Sequence, residues 1–185
     1  MPERRARRMD ALQNRELILA AALAALTESS DASINSIAQR AGVGNATLYR
    51  HFPTREALVL EVYQHEVRQL VDSADEFLSN SEPALALQKW VMRLAQYAMT
   101  KHGLAAALRA ATGSSSPMFA DIYAPIVAAL GRLLEAAGRA GAVRTDLDAD
   151  DVILALAGLW EIDPATDWKR RAARLYELVL GGLRP

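Results

Sequence analysis

Between residues 45 and 51 the chain reads Asn-Ala-Thr-Leu-Tyr-Arg-His, which gathers an amide, a hydroxyl, a phenol, a guanidinium and an imidazole around one leucine. Such groups suit recognition of hydrogen-bonding partners. Short polar side chains at the start of a helix can meet base edges, and an Asn can bond an adenine edge through two hydrogen bonds. Phenol, imidazole and guanidinium donate to phosphate oxygens without regard to sequence. Asn45, Ala46, Thr47, Tyr49, Arg50 and His51 therefore form a candidate surface for a nucleic-acid groove. An ordinary solvated helix face has the same appearance, so the residues alone leave both readings open.

Chemistry of other kinds finds little support. The chain has no cysteine, which excludes a disulfide scaffold, a thiolate nucleophile and any cysteine-based zinc or iron–sulfur site. Its histidines are His51, His65 and His102, and no His-Glu-x-x-His, Gly-x-Ser-x-Gly or glycine-rich phosphate loop occurs. Asp146-x-Asp148-x-Asp150 resembles the start of a calcium loop, but Asp151 stands where such a loop needs glycine, and Ala157 where it needs glutamate. Those aspartates are expected to cap the next helix, whose positive end favours them. Ser114-Ser115-Ser116 has no candidate base beside it. Neither enzyme activity, metal nor cofactor is expected.

The surface at 45–51 needs elements that hold it outward. Alanine and leucine dominate, and apolar residues recur at three- and four-residue spacing, so the fold class is all-α with about nine helices. A first helix is expected from about Asp10 to Glu28, with Leu12, Ile18, Leu19, Ala22, Leu23 and Leu26 inward. Ser33 can cap a second that buries Ile34, Ile37, Ala38 and Ala41. Gly42-Val43-Gly44 supplies a tight turn, and a third helix, Asn45 to His51, places Leu48 and Phe52 on the core side. Two short amphipathic helices joined in this way are a helix-turn-helix. Hairpins of that kind also occur in proteins that never touch DNA.

Pro53 stops the third helix, and Thr54 can cap a fourth, from about Arg55 to Phe77, long enough to connect two modules. Further helices are expected at about 84–101, 103–112, 117–139, 148–162 and 165–182, with breaks at Gly103, 113–117, Gly141 and Asp163-Pro164. The division expected is residues 1–56, a helix-turn-helix domain with a basic N-terminal arm, and residues 57–185, a helical effector-binding and dimerisation domain.

Charge follows the same division. The chain has 185 residues with a net charge of −1, yet residues 1–55 carry eight arginines against five acids, and the rest carries 13 bases against 17 acids. A basic first third suggests a polyanion at that end, although terminal charge runs are usually solvated tails. At 51% hydrophobic and 23% charged the composition is that of a globular protein, and no run of 18 apolar residues suggests a membrane span. The basic start, Met1 to Asp10, is not followed by the apolar segment and small-residue site of a secretory signal, so a cytoplasmic protein is expected.

Ile37-Ala38-Gln39-Arg40-Ala41-Gly42-Val43, Thr47-Leu48-Tyr49-Arg50-His51-Phe52 and Arg55-Glu56-Ala57-Leu58 together resemble the N-terminal signature of the tetracycline-repressor (TetR) family of bacterial transcriptional regulators. The resemblance covers about residues 12–62. It implies a homodimer on double-stranded DNA, two recognition helices in successive major grooves, and a C-terminal domain holding a dimer interface and an effector pocket. Carried onto this chain, it puts Asn35, Asn45, Ala46 and Thr47 near base edges and Ser33, Tyr49, His51 and Arg55 near phosphates, with Arg50 suited to either. Two departures stand out: Gly44-Asn45 where many members have Ser-Lys, and Ser29-Ser30 where many have glycine and an aromatic. The first removes a positive charge from the recognition helix. Arg4, Arg5, Arg7 and Arg8 would either follow the minor groove or add nonspecific affinity.

For a small apolar or aromatic effector the candidates are Trp90, Leu94 and Tyr97 on one helix face and Met118, Ile122, Tyr123 and Ile126 on another, with His102 as an orienting polar group. Such stripes also make ordinary core. For the interface, helices 148–162 and 165–182 offer Ala155, Ala157 and Gly158 for close approach. Leu156, Leu159, Trp168, Ala172, Leu175, Tyr176 and Val179 would supply apolar area. A regulator without a small-molecule ligand, controlled by a protein partner, is the alternative.

Overall fold

The computed structural model describes residues 2–112, 118–163 and 165–184. These hold eight α-helices and no strand: α1 Pro2–Glu28, α2 Ile34–Ala41, α3 Asn45–His51, α4 Arg55–Asn80, α5 Pro83–Thr112, α6 Met118–Arg139, α7 Ala149–Ala155 and α8 Trp168–Leu183. A 3₁₀ helix, Leu156–Glu161, continues α7. No described helix is long and apolar enough to cross a membrane.

The local signals act where they were expected. Ser33 accepts from the Ser36 amide at 3.1 Å and caps α2, while Ser36 returns its hydroxyl to the Ser33 carbonyl at 2.8 Å. Gly42 closes α2 with φ of 68°, in the left-handed region that glycine enters without steric cost. Thr54 accepts from the Ala57 amide at 3.1 Å at the start of α4. Asp148 accepts from the Asp150 amide at 2.8 Å and caps α7, the role expected of that aspartate cluster.

Four expectations are corrected. α1 begins at Pro2 instead of near Asp10, so the basic arm lies on a helical backbone, and Leu12 is 57% exposed instead of inward. Leu12 sits on the part of α1 ahead of the packed stretch that begins at Ile18. Gly103 does not break a helix, because α5 runs through it. One glycine in a helix costs about 1 kcal/mol against alanine, which the burial of Leu104, Ala107 and Leu108 offsets. The helix expected at 148–162 is α for seven residues and then 3₁₀ for six.

The chain forms two compact units, Met1–His65 with Thr100–Ser116, and Glu66–Met99 with Pro117–Pro185. In the first, α1 packs on α2 and α2 on α3, and its buried residues include Ile18, Leu19, Ala22, Leu26, Ile37, Ala38, Leu48, Phe52, Leu58 and Val62. In the second, α6 packs on α7, and α8 on the 3₁₀ helix. Its buried residues include Leu70, Leu87, Trp90, Leu94, Leu130, Leu133, Val152, Leu159 and Ala172.

Candidate nucleic-acid interface

α3 is seven residues long and gains its position from packing, since so short a helix is not stable alone. Leu48 is fully buried and Phe52, the C-cap, is 4% exposed. Asn45, Ala46, Tyr49 and Arg50 are exposed, and Thr47 and His51 half-buried. In a helix of 3.6 residues per turn, two residues turn the chain by about 200°, so Ala46 and Arg50 lie opposite Leu48. The residues expected on the outer face are thus on it or at its margins. Gly44, the N-cap, provides no side-chain cap. Ser33 and Asn35 at the start of α2 are exposed as well.

Polar contacts link α1, α2 and α4. Glu28 at the end of α1 takes two hydrogen bonds from Arg40 of α2, at 2.6 and 2.8 Å. The Arg40 guanidinium holds the Glu28 carboxyl below its usual range, first by hydrogen bonding. Arg15 of α1 approaches Glu61 of α4 at 2.5 Å and lies 5.8 Å over the Phe52 ring. His65 Nε2 stands 3.3 Å from Glu16. Arg55 donates to the carbonyl of Ser30, which ties α4 to the α1–α2 turn. The sequence groups Arg55 with the phosphate contacts and gives no sign of this bond, nor of any pairing for Arg15, Glu28 and Arg40. Only their opposite charges could have signalled them, and pairing across helices leaves no local spacing.

The expected effector residues divide. Trp90 and Leu94 are fully buried and Tyr97 is 3% exposed, and the Trp90 indole donates to the Leu70 carbonyl at 2.9 Å. Tyr123 is 43% exposed; partial burial, then its hydrogen bond to Asp150, hold its hydroxyl above the ordinary range. The side chains of His102, Met118 and Ile122, like those of Arg4, Arg5, Arg7 and Arg8, lie outside the described residues. A groove of about 510 Å³ lies elsewhere in the second unit, lined by Gly131, Leu134, Gly138, Arg144, Leu147 and Ala149 among others. Two of its lining arginines are paired: Arg144 with Asp146 at 2.5 Å and Arg139 with Glu135 at 3.7 Å.

On the expected interface helices, Leu159, Ala172 and Tyr176 are inside their own unit's core, at 0%, 0% and 4% exposure. They turn inward because the 3₁₀ helix and α8 pack on each other. Leu156 is buried too. Ala155, Ala157 and Gly158 are exposed, and Trp168, Leu175 and Val179 half-buried. Leu154 and Leu178, 73% and 74% exposed, were missed. Leu178 follows Leu175 by three residues and precedes Gly182 by four, an outer stripe that helical spacing contains.

Two family models match the chain. One, for bacterial regulatory proteins of the tetR family, covers residues 18–62; the other, for the C-terminal domain of SbtR-like transcriptional regulators, covers residues 82–185. A TetR transcriptional regulator from Streptomyces coelicolor is 44% identical, with 92% of this chain and 98% of that one covered and a TM-score of 0.85. A TetR regulatory protein from Mycobacterium vanbaalenii is 35% identical, over 96% and 99%, at a TM-score of 0.75. The fatty acid degradation regulator FadR from Bacillus halodurans, 22% identical over 91% and 99% at 0.66, shares the fold. No curated protein matches.

Proposed function

The chain belongs to the TetR family of bacterial transcriptional regulators, and on that premise we propose that it is a repressor which holds a palindromic operator as a homodimer and leaves it when a small apolar molecule binds the second unit. The observation that carries this reading is α3, with Leu48 buried and Asn45, Ala46, Tyr49 and Arg50 of the same short helix exposed. Asn35, Asn45, Ala46 and Thr47 are assigned to base edges, and Ser33, Tyr49 and His51 to phosphates. Arg55 joins the phosphate group with the donors that Ser30 leaves free.

In the dimer two α3 helices stand one turn of DNA apart, about 34–36 Å, or a multiple of it. An effector acts by preferring a different spacing, and couplings of about 1–3 kcal/mol lower affinity roughly 5- to 150-fold. α4, which runs from the first unit into the second, carries the coupling. Selection from a random duplex library with the purified protein tests the core of the reading. An enriched inverted repeat is expected; salt-sensitive binding without enrichment overturns it.

The burial of Trp90, Leu94 and Tyr97 favours a second reading, a dimeric regulator that answers to a protein partner and takes no small molecule. Trp90 reports on the difference. A change of tryptophan emission together with a melting shift for some member of an apolar ligand library supports the effector, and a silent library supports the partner.

A further inference from the structure

The four arginines with described side chains in the first unit have unlike surroundings. Arg15 is engaged by Glu61, Arg40 by Glu28 and Arg55 by the Ser30 carbonyl. Each is bound to an anionic or carbonyl oxygen of another element. Arg50 is different: among the described residues its hydrogen bond is to the hydroxyl of Thr47, one turn back on the same helix, at 3.1 Å. A hydroxyl takes one of five guanidinium donors and leaves the positive charge unbalanced. It also draws the group toward the N-terminal end of α3, the end that meets base edges, the direction in which helical side chains already lean.

Arg50 also occupies the middle of the outward side, about 200° from Leu48, whereas Tyr49 is about 100° from it. In a groove, phosphates line the walls and base edges the floor, so the side chain farthest from the protein core faces the floor. We infer that Arg50 reads a guanine in each half-site, through two donors to O6 and N7, and that Thr47 is the positioning residue that aims it. The inference rests on the reading of α3 as a groove-entering helix and goes beyond it, since it fixes one base and one side-chain pair.

The test uses the full-length protein and the same random duplex pool. The wild type should enrich a repeat containing one G·C pair per half-site whose replacement lowers affinity roughly 5- to 140-fold, the range for a lost two-point base contact. Arg50→Lys keeps the charge but loses the planar fork, so discrimination at that pair should weaken while the other positions stay selected. Thr47→Val should weaken the same discrimination and Thr47→Ser restore it; in an Arg50→Lys background Thr47→Val should change that position no further. Far-ultraviolet circular dichroism and melting verify that each variant is folded, as expected for an exposed arginine. If Arg50→Lys leaves the whole preference profile unchanged, or weakens all duplexes alike, Arg50 is a phosphate contact and the inference is wrong. If only Thr47→Val is silent, the positioning role falls. A wild type that enriches nothing defeats the groove reading itself, and so is told apart from failure of the Arg50 assignment.

Discussion

Tyr49 and Asn45 lie one turn apart on α3 and differ in what their loss would do. The Tyr49 hydroxyl can bond a phosphate, which every duplex presents equally, so Tyr49→Phe should lower affinity for all sequences about 2- to 12-fold, the size of one ordinary hydrogen bond. The selected site should stay the same. Asn45→Ala should instead change preference at one position per half-site; an unchanged profile from selection would end its base-reading role. Neither change should alter stability by more than about 0.5 kcal/mol, because both side chains are exposed. These residues were legible in the sequence because their spacing about Leu48 is local. The Arg15–Glu61 and Arg55–Ser30 contacts were not, since the partners are far apart in the chain and only the folded chain brings them together.

Turns and caps decide how the elements stand, and two glycines of one turn should behave in opposite ways. Gly42 has φ of 68°, and an added Cβ there meets nothing within 4 Å, so Gly42→Ala suffers only the backbone cost, about 1–2 kcal/mol on urea denaturation. Gly44 has φ of −70°, also with open space at Cβ, and leaves α3 uncapped. Gly44→Ser should therefore raise stability, by a few tenths up to about 1 kcal/mol, with the gain lost if the hydroxyl fails to cap. Farther along, Arg144 holds the Asp146 carboxyl down to about 2, chiefly by hydrogen bonding, while its own amide bonds the Leu183 carbonyl at 2.8 Å. A carboxyl lowered in the folded state stabilises above its unfolded value, near 3.8, and stops doing so as pH falls through about 2. The melting difference between wild type and Asp146→Asn should thus be constant above about pH 5, shrink as pH falls and vanish only below about pH 2; a difference that does not shrink would have another origin. Caps such as Ser33 and Thr54 could be read beforehand because each bonds an amide two or three residues away. The continuity of α5 through Gly103 could not, because the burial of Leu104 and Leu108 that outweighs the glycine is a property of the packed chain.

At the scale of the whole molecule the open quantity is how two copies join. Sequence periodicity marks which residues of the 3₁₀ helix and α8 are apolar, but an intramolecular core and an intermolecular contact have the same periodicity, so Leu159, Ala172 and Tyr176 were grouped with residues that face outward. The structure separates them, and Leu154 on α7 and Leu178 on α8, about three-quarters exposed, are the most exposed large apolar side chains of these helices. Exposed leucines, together with the exposed small residues Ala155, Ala157 and Gly158, would suit a two-fold, self-complementary contact, in which each residue on one copy meets the same patch on the other. Leu178→Glu puts two like charges near the axis and desolvates them on association, so it should shift the protein from dimer to monomer by sedimentation velocity while leaving its circular dichroism unchanged. Leu154→Glu should act the same way. Operator affinity should then fall far more than affinity for a single half-site, because the second α3 no longer arrives with the first. A Leu178→Glu protein that stays dimeric and keeps full operator binding would place the interface on another face of the second unit.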